Sequence, residues 1–161
     1  MTLKLRQEIL IEAPAEAIWE FVHRHFETGR VEEVYPLRPW VRILSWEKIT
    51  PGPVGVGSTM RWEFRTLLGR KRRLITVVRA WNPPRLAQYE TTIGWPFRAS
   101  ISVEPISTTQ TRVAYEAEID RVPLVVNSRV AGMAIRKFLS NWKRTLERSG
   151  GEPWQRTPSA E

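Results

Sequence analysis

Residues 111–149 read TRVAYEAEID, then RVP, then LVVNSRVAGMAIRKFLSNWKRTLERS, and the change of rhythm across Pro123 decides the fold. In the first segment Val113, Tyr115, Ala117 and Ile119 oppose Arg112, Glu116, Glu118 and Asp120. A period of two places the apolar set on one side of a strand and the charges on the other. In 124–149, Val126, Val130, Met133, Ile135, Phe138, Leu139, Trp142 and Leu146 recur at three- and four-residue steps, which predicts one long amphipathic helix. Arg129, Arg136, Lys137, Lys143, Arg144 and Arg148 form its polar side. Gly132 inside the helix would permit a bend, and Gly150-Gly151 ends it. The tail 149–161, with two prolines and Trp154, is expected to be flexible.

Upstream, strand-like runs follow one another at 40–49, 58–68, 71–81, 86–93 and 98–104. Pro51-Gly52-Pro53, Gly55-Val56-Gly57, Gly69, Asn82-Pro83-Pro84, Gly94-Trp95-Pro96 and Ser107-Thr108-Thr109 supply the turns. Such connections are too short for parallel crossovers, so the strands form an antiparallel meander. In 58–68, Met60, Trp62, Phe64 and Thr66 face one way, with Thr59, Arg61, Glu63 and Arg65 opposite. The run 71–81 leaves two readings open: Leu74, Thr76, Val78 and Ala80 inward, or Ile75, Val77 and Arg79 inward.

At the N-terminal end, 3–12 is a strand with Leu3, Leu5, Gln7, Ile9 and Ile11 on one face. Ala13-Pro14 breaks it, and proline suits the opening of the next helix because no amide hydrogen is needed there. That helix covers about 15–26, with Ile18, Trp19, Val22 and Phe26 as its stripe and Gly29 as its stop. One further turn around 30–34 precedes a loop enforced by Pro36 and Pro39. The fold class is therefore α+β, a curved antiparallel sheet of about seven strands around the C-terminal helix, in a single domain over 3–148. Curvature lifts the concave face off the helix, and such gaps hold small molecules.

At 161 residues the chain suits one domain, and 42% hydrophobic against 26% charged residues excludes a wholly disordered protein. No apolar run is long enough to span a bilayer, and the opening Met1-Thr2-Leu3-Lys4-Leu5-Arg6 is not a secretory leader, so a cytoplasmic protein is expected. Without cysteine there are no disulfides, thiolate metal sites or thiol nucleophiles. The net charge is +8, and 20 of the 25 basic residues are arginines. Arg61, Arg65, Arg70, Lys71, Arg72, Arg73 and Arg79 crowd one hairpin, which reads as a solvated edge or as a contact for anions. No aromatic interrupts Arg70–Arg73, which weighs against single-stranded nucleic acid.

Several stretches, taken together, resemble the START-related superfamily of lipid-transfer, birch-pollen-allergen and polyketide cyclase/dehydrase proteins, whose members share the helix-grip fold. Ile9-Leu10-Ile11-Glu12-Ala13-Pro14-Ala15-Glu16-Ala17-Ile18-Trp19 is similar to its opening strand, Ala-Pro break and helix start. Gly52-Pro53-Val54-Gly55-Val56-Gly57-Ser58 resembles its glycine-rich approach to the third strand, and Asn82-Pro83-Pro84-Arg85-Leu86 its Asp-Pro-Pro-Arg turn. Trp142-Lys143-Arg144-Thr145-Leu146-Glu147 is similar to the end of its grip helix, while Gln110-Thr111 departs from its usual Gly-Thr. The resemblance implies a hydrophobic ligand (fatty-acyl, isoprenoid or aromatic polyketide-like) carried or sensed in a cavity between sheet and helix. The alternative it implies is a cyclase/dehydratase-type enzyme without metal, and a basic-hairpin module for nucleic acid or an acidic partner is a third reading.

The chemistry-bearing residues are few. His23 and His25 diverge on the first helix and are expected at the surface or a helix end, and Asp120 is the sole aspartate. No phosphate loop, metal site or catalytic triad is expected, and no cofactor. The candidate polar groups on inward faces are Gln7, Thr66, Tyr89, Thr91 and Tyr115. Tyr89 and Tyr115 are the candidates for polarising a carbonyl or moving a proton. Met60, Trp62, Phe64, Met133, Phe138 and Trp142 are the candidate apolar wall, and cavity lining and plain core share that composition.

Overall fold

The computed structural model describes residues 2–120 and 128–148. Strand β1 (Thr2–Ile11) is followed by α1 (Ala15–His23), α2 (His25–Thr28) and α3 (Val31–Val34). Six strands come next: β2 (Val41–Lys48), β3 (Thr59–Thr66), β4 (Lys71–Asn82), β5 (Leu86–Ile93), β6 (Phe97–Pro105) and β7 (Thr111–Asp120), and α4 (Ser128–Arg148) closes the order. The expected helix start at 124 and the tail 149–161 lie outside the described residues. Pro14 stands as the N-cap of α1, in extended backbone, one position before the helical residues. The helix expected over 15–26 is divided by a turn at Arg24, and Gly29 ends α2 in the left-handed conformation that spares a Cβ clash.

The seven strands form one antiparallel sheet in the order β1-β7-β6-β5-β4-β3-β2. Only β1 leaves sequence order, crossing to pair with β7 so that Gln7 faces Tyr115 and Ile11 faces Thr111. The sheet curls into a half-barrel that grips α4, the helix-grip arrangement. Bulges lie between β2 and β3 at Ile43/Ser45 and between β4 and β5 at Ile75/Thr76 and Val78/Ala80, and a bulge sharpens local bend and twist.

The last of these bulges settles the open reading of β4. Leu74 and Thr76 border the interior and Val78 is fully buried, but the extra residue then shifts the phase. Arg79 turns outward to Glu90, and Trp81 turns inward against Trp19 (5.0 Å) and His23 (4.8 Å). Neither alternation holds over the whole strand.

Packing is uneven along the barrel. Ile11, Ile18, Val22, Val113, Leu139 and Leu146 belong to a dense core where β1 ends, β7 begins and α1 meets the C-terminal half of α4. Trp142 is fully buried there and donates its indole N–H to the Val34 carbonyl at 2.6 Å, tying α4 to α3. Lys143 reaches the Leu10 carbonyl at 2.8 Å and Asn141 the Glu33 carbonyl at 3.1 Å. The outward face is laced with ion pairs, among them Arg73–Glu63, Arg79–Glu90, Arg98–Glu90 and Arg112–Glu104. Exposed pairs of this kind contribute about 0–1 kcal/mol each, so they keep the face wet more than they hold the fold.

Candidate functional site

Opposite the dense core, where β3, β5 and β7 end, the sheet and helices leave a cavity of about 280 Å³. Met60, Trp62 and Phe64 of β3 enter it at the strand's period of two, and Leu74 and Thr76 of β4 lie beside them. Tyr89 of β5, Phe97 and Ala99 of β6, and Tyr115 and Ile119 of β7 continue the wall. Phe138 is the residue of α4 that borders it, set between the rings of Tyr35 (5.3 Å) and Tyr115 (4.8 Å), both edge-on.

Of the eleven expected site residues, Met60, Trp62, Phe64, Tyr89, Tyr115 and Phe138 come together around this space. The other five stand elsewhere. Gln7 lies on the inner face of β1 against Gly132 of α4. Thr66 closes the β3–β4 turn, its hydroxyl oxygen accepting from the Arg70 amide at 3.3 Å. Thr91 is paired with Thr76, and its hydroxyl is buried with no hydrogen-bond partner. Trp142 serves the solid core. Met133 is 41% exposed: the inward stripe of α4 runs through Gly132, Ile135, Phe138, Leu139, Trp142 and Leu146, and Met133 sits about 100° beyond Gly132.

Several wall residues were outside the sequence expectation. His25 and Phe26 come from α2, Tyr35 and Leu37 from the segment after α3, and Trp95 from the Gly94-Trp95-Pro96 turn. Phe26 already stood on the apolar stripe expected for the first helix, and the break at Arg24 turns it and His25 to the cavity. Tyr35, Leu37 and Trp95 lie in loop backbone, which has no fixed period to say which way they point.

The two histidines stand at helix ends, His23 closing α1 and His25 opening α2, but both are buried and neither is at the surface. Each Nδ1 lies 3.0 Å from a carbonyl oxygen, His23 to Trp19 and His25 to Val22, which makes that nitrogen the donor. Burial pushes His23 down to about 3, with His25 adding to the shift and the Trp19 contact opposing it. His25 is pushed down to about 4, again by burial. Both rings are neutral at pH 7. Among the described residues, no three His, Asp or Glu side chains gather as a metal ion requires.

Three phenols share the cavity. Burial raises Tyr35 and Tyr89 well above their ordinary value, and neighbouring tyrosines add to each shift. Burial pushes Tyr115 up to about 12. At neutral pH all three are hydrogen-bond donors and weak acids. The Tyr89 hydroxyl is buried without a partner, whereas the Trp62 indole N–H is satisfied by the Thr76 hydroxyl at 3.0 Å. An apolar chamber with few convergent polar atoms is the usual make-up of a small-molecule site.

Comparison with solved structures returns the same architecture. The protein TTHA0849 from Thermus thermophilus superposes with a TM-score of 0.64 at 15% identity, over 91% of this chain and 99% of that one. The major latex-like protein 151 of Panax ginseng gives 0.63 at 15% identity, over 92% and 97%. The protein CV1439 from Chromobacterium violaceum gives 0.63 at 14%, over 89% and 96%. At these identities the likeness is one of fold. Comparison with curated proteins finds no match in sequence. The family model for polyketide cyclase / dehydrase and lipid transport aligns with residues 2–147, from the first strand through the grip helix. The chain belongs to that family, within the START-related superfamily to which its motifs and its hollow half-barrel had pointed.

Proposed function

We propose that the protein binds a compact, largely apolar molecule in the cavity, as a carrier or sensor in the cytoplasm. The observation that carries this reading is the aromatic chamber of about 280 Å³ whose wall includes the Tyr89 hydroxyl, buried without a hydrogen-bond partner. An unsatisfied buried donor costs roughly 1–3 kcal/mol, which a ligand oxygen would recover. The volume is close to the lower end of the ~300–1,000 Å³ usual for such sites, which favours a one- or two-ring or short acyl ligand over an extended lipid. Native mass spectrometry of the purified protein should reveal a retained small molecule, and an environment-sensitive apolar dye should bind saturably. Ala99→Leu, which adds bulk to the wall, should weaken dye binding several-fold, and Tyr89→Phe should weaken ligands bearing a carbonyl more than pure hydrocarbons. A native protein that takes up neither ligand nor dye would overturn the reading.

The cyclase/dehydratase reading rests on one specific feature, the three phenols around a single space. Burial keeps them protonated, so they are poor proton donors that still have an O–H to offer a ligand oxygen. On this reading Tyr115 and Tyr89 polarise a carbonyl of a folded polyketone while the walls fix its shape. Tyr115→Phe should then reduce turnover with little effect on binding, and equal turnover would remove that residue from the mechanism.

A further inference from the structure

The hairpin joining β3 and β4 ends in Thr66-Leu67-Leu68-Gly69, a turn closed by the Gly69 amide on the Thr66 carbonyl at 2.9 Å, with Gly69 at φ +79°. Leu67 and Leu68 hold its two central positions, 69% and 76% exposed. Turn centres ordinarily favour Gly, Pro, Asn, Asp or Ser, for conformational reasons that leucine does not satisfy. Two adjacent leucines at the exposed tip of this hairpin therefore gain nothing for the turn and lose contact with any core.

Cations collar the tip on both faces. The register pairs Arg42 with Arg65 and Arg65 with Lys71, which places these three on the outward face. Arg72 is paired with Phe64 and therefore shares the inward face, just beyond Leu74 at the cavity wall. Arg70 continues that side. Lys71 and Arg73 both lean on Glu63, but among the described residues Arg42, Arg65, Arg70 and Arg72 form no ion pair.

We propose that this hairpin docks end-on to an anionic lipid bilayer, with Leu67 and Leu68 entering the interfacial layer and the arginine collar meeting the headgroups. Apolar residues at a tip, with cations on both faces behind it, match a surface that is apolar below and negative above. A second copy of the chain would bring the same cations against one another, and no tip aromatic offers a base a stacking surface. The cavity lies behind the same end: Phe64 stands three residues from Leu67, about 10 Å along the strand. Docking would set the hollow close to the bilayer, although it does not depend on what the hollow holds.

The test is co-sedimentation of the full chain with vesicles of phosphatidylcholine alone and of phosphatidylcholine with phosphatidylglycerol. Binding should appear with the anionic vesicles and weaken as salt rises. Arg70→Gln with Arg72→Gln should lower partitioning by roughly 25-fold, at about fivefold per cation. Leu67→Ser with Leu68→Ser should abolish it. Val56→Ser, at an equally exposed (70%) apolar residue in the β2–β3 loop at the other end of the strands, should leave binding intact. Far-UV circular dichroism and melting checks that each variant is folded. Wild-type protein that stays in the supernatant, or that binds equally well with both hairpin pairs changed, overturns the proposal; an acidic protein partner would give the first result.

Discussion

His25 shows how one side chain links the hollow to stability. Its ring borders the cavity, stacks on Phe26 at 4.4 Å and stands edge-on to Tyr35 at 5.6 Å and Trp46 at 5.5 Å. With folded values of about 4 and 3, His25 and His23 refuse protons that the unfolded chain accepts below about 6.5. Their stabilising effect is therefore complete above pH 6.5 and is lost as pH falls towards those folded values. The slope approaches 1.4 kcal/mol per pH unit for each ring. Urea unfolding at pH 6.5 and pH 4.5 should show the wild type weakened by several kcal/mol. His25→Phe, which keeps an aromatic ring and removes the titration, should cut that difference by about half. An unchanged difference would mean that the ring does not stay neutral.

At the scale of elements, α4 is tied to α3 and β1 through Trp142, Asn141 and Lys143. Trp142→Ala should cost about 3–5 kcal/mol, because it opens a hole in the dense core and strands the Val34 carbonyl. Gly132 has the opposite prospect: an added Cβ would meet Arg136 and Gln7 side chains at 3.9 and 4.0 Å, ordinary contact distances. Gly132→Ala should therefore raise stability by about 0.5–1 kcal/mol through helix propensity, read as a higher urea midpoint. If a bend at Gly132 admits ligands, the same variant should slow dye uptake without changing its endpoint. In the β5–β6 turn, Gly94 has φ +98°, and a Cβ there would lie 2.6 Å from both the Arg73 carbonyl oxygen and Leu74 Cδ2. Gly94→Ala should destabilise by more than about 2 kcal/mol, and a neutral result would show that the turn relaxes freely.

At the scale of the molecule, strand number, antiparallel order and the gripping helix were legible because period-two and period-three-to-four patterns are rules about whole segments. Met60, Trp62, Phe64 and Tyr115 could be placed on the inner wall for the same reason. Trp81 could not, since the bulge beside Arg79 resets the phase without a mark in the sequence. Tyr35 and Trp95 escaped because loops carry no period, and Met133 was misassigned because a helix stripe wide enough to include it is broader than the face that β1 and α1 cover. Single-domain behaviour over 3–148 remains an expectation with a direct check. Far-UV and near-UV circular dichroism should report one coincident unfolding transition, and separated midpoints would show that the hollow end opens independently of the dense one.

The inner surface has an optical consequence. Trp46 and Trp62 lie 6.3 Å apart beside His25, Trp19 and Trp81 lie 5.0 Å apart beside His23, and Trp95 looks into the cavity from its rim. A guest in that space sits within energy-transfer range of several indoles at once, so the protein's own ultraviolet emission can report occupancy. A conjugated guest should quench it and a saturated guest should shift its colour, which lets unlabelled candidates be ranked by the chemistry of their chromophore.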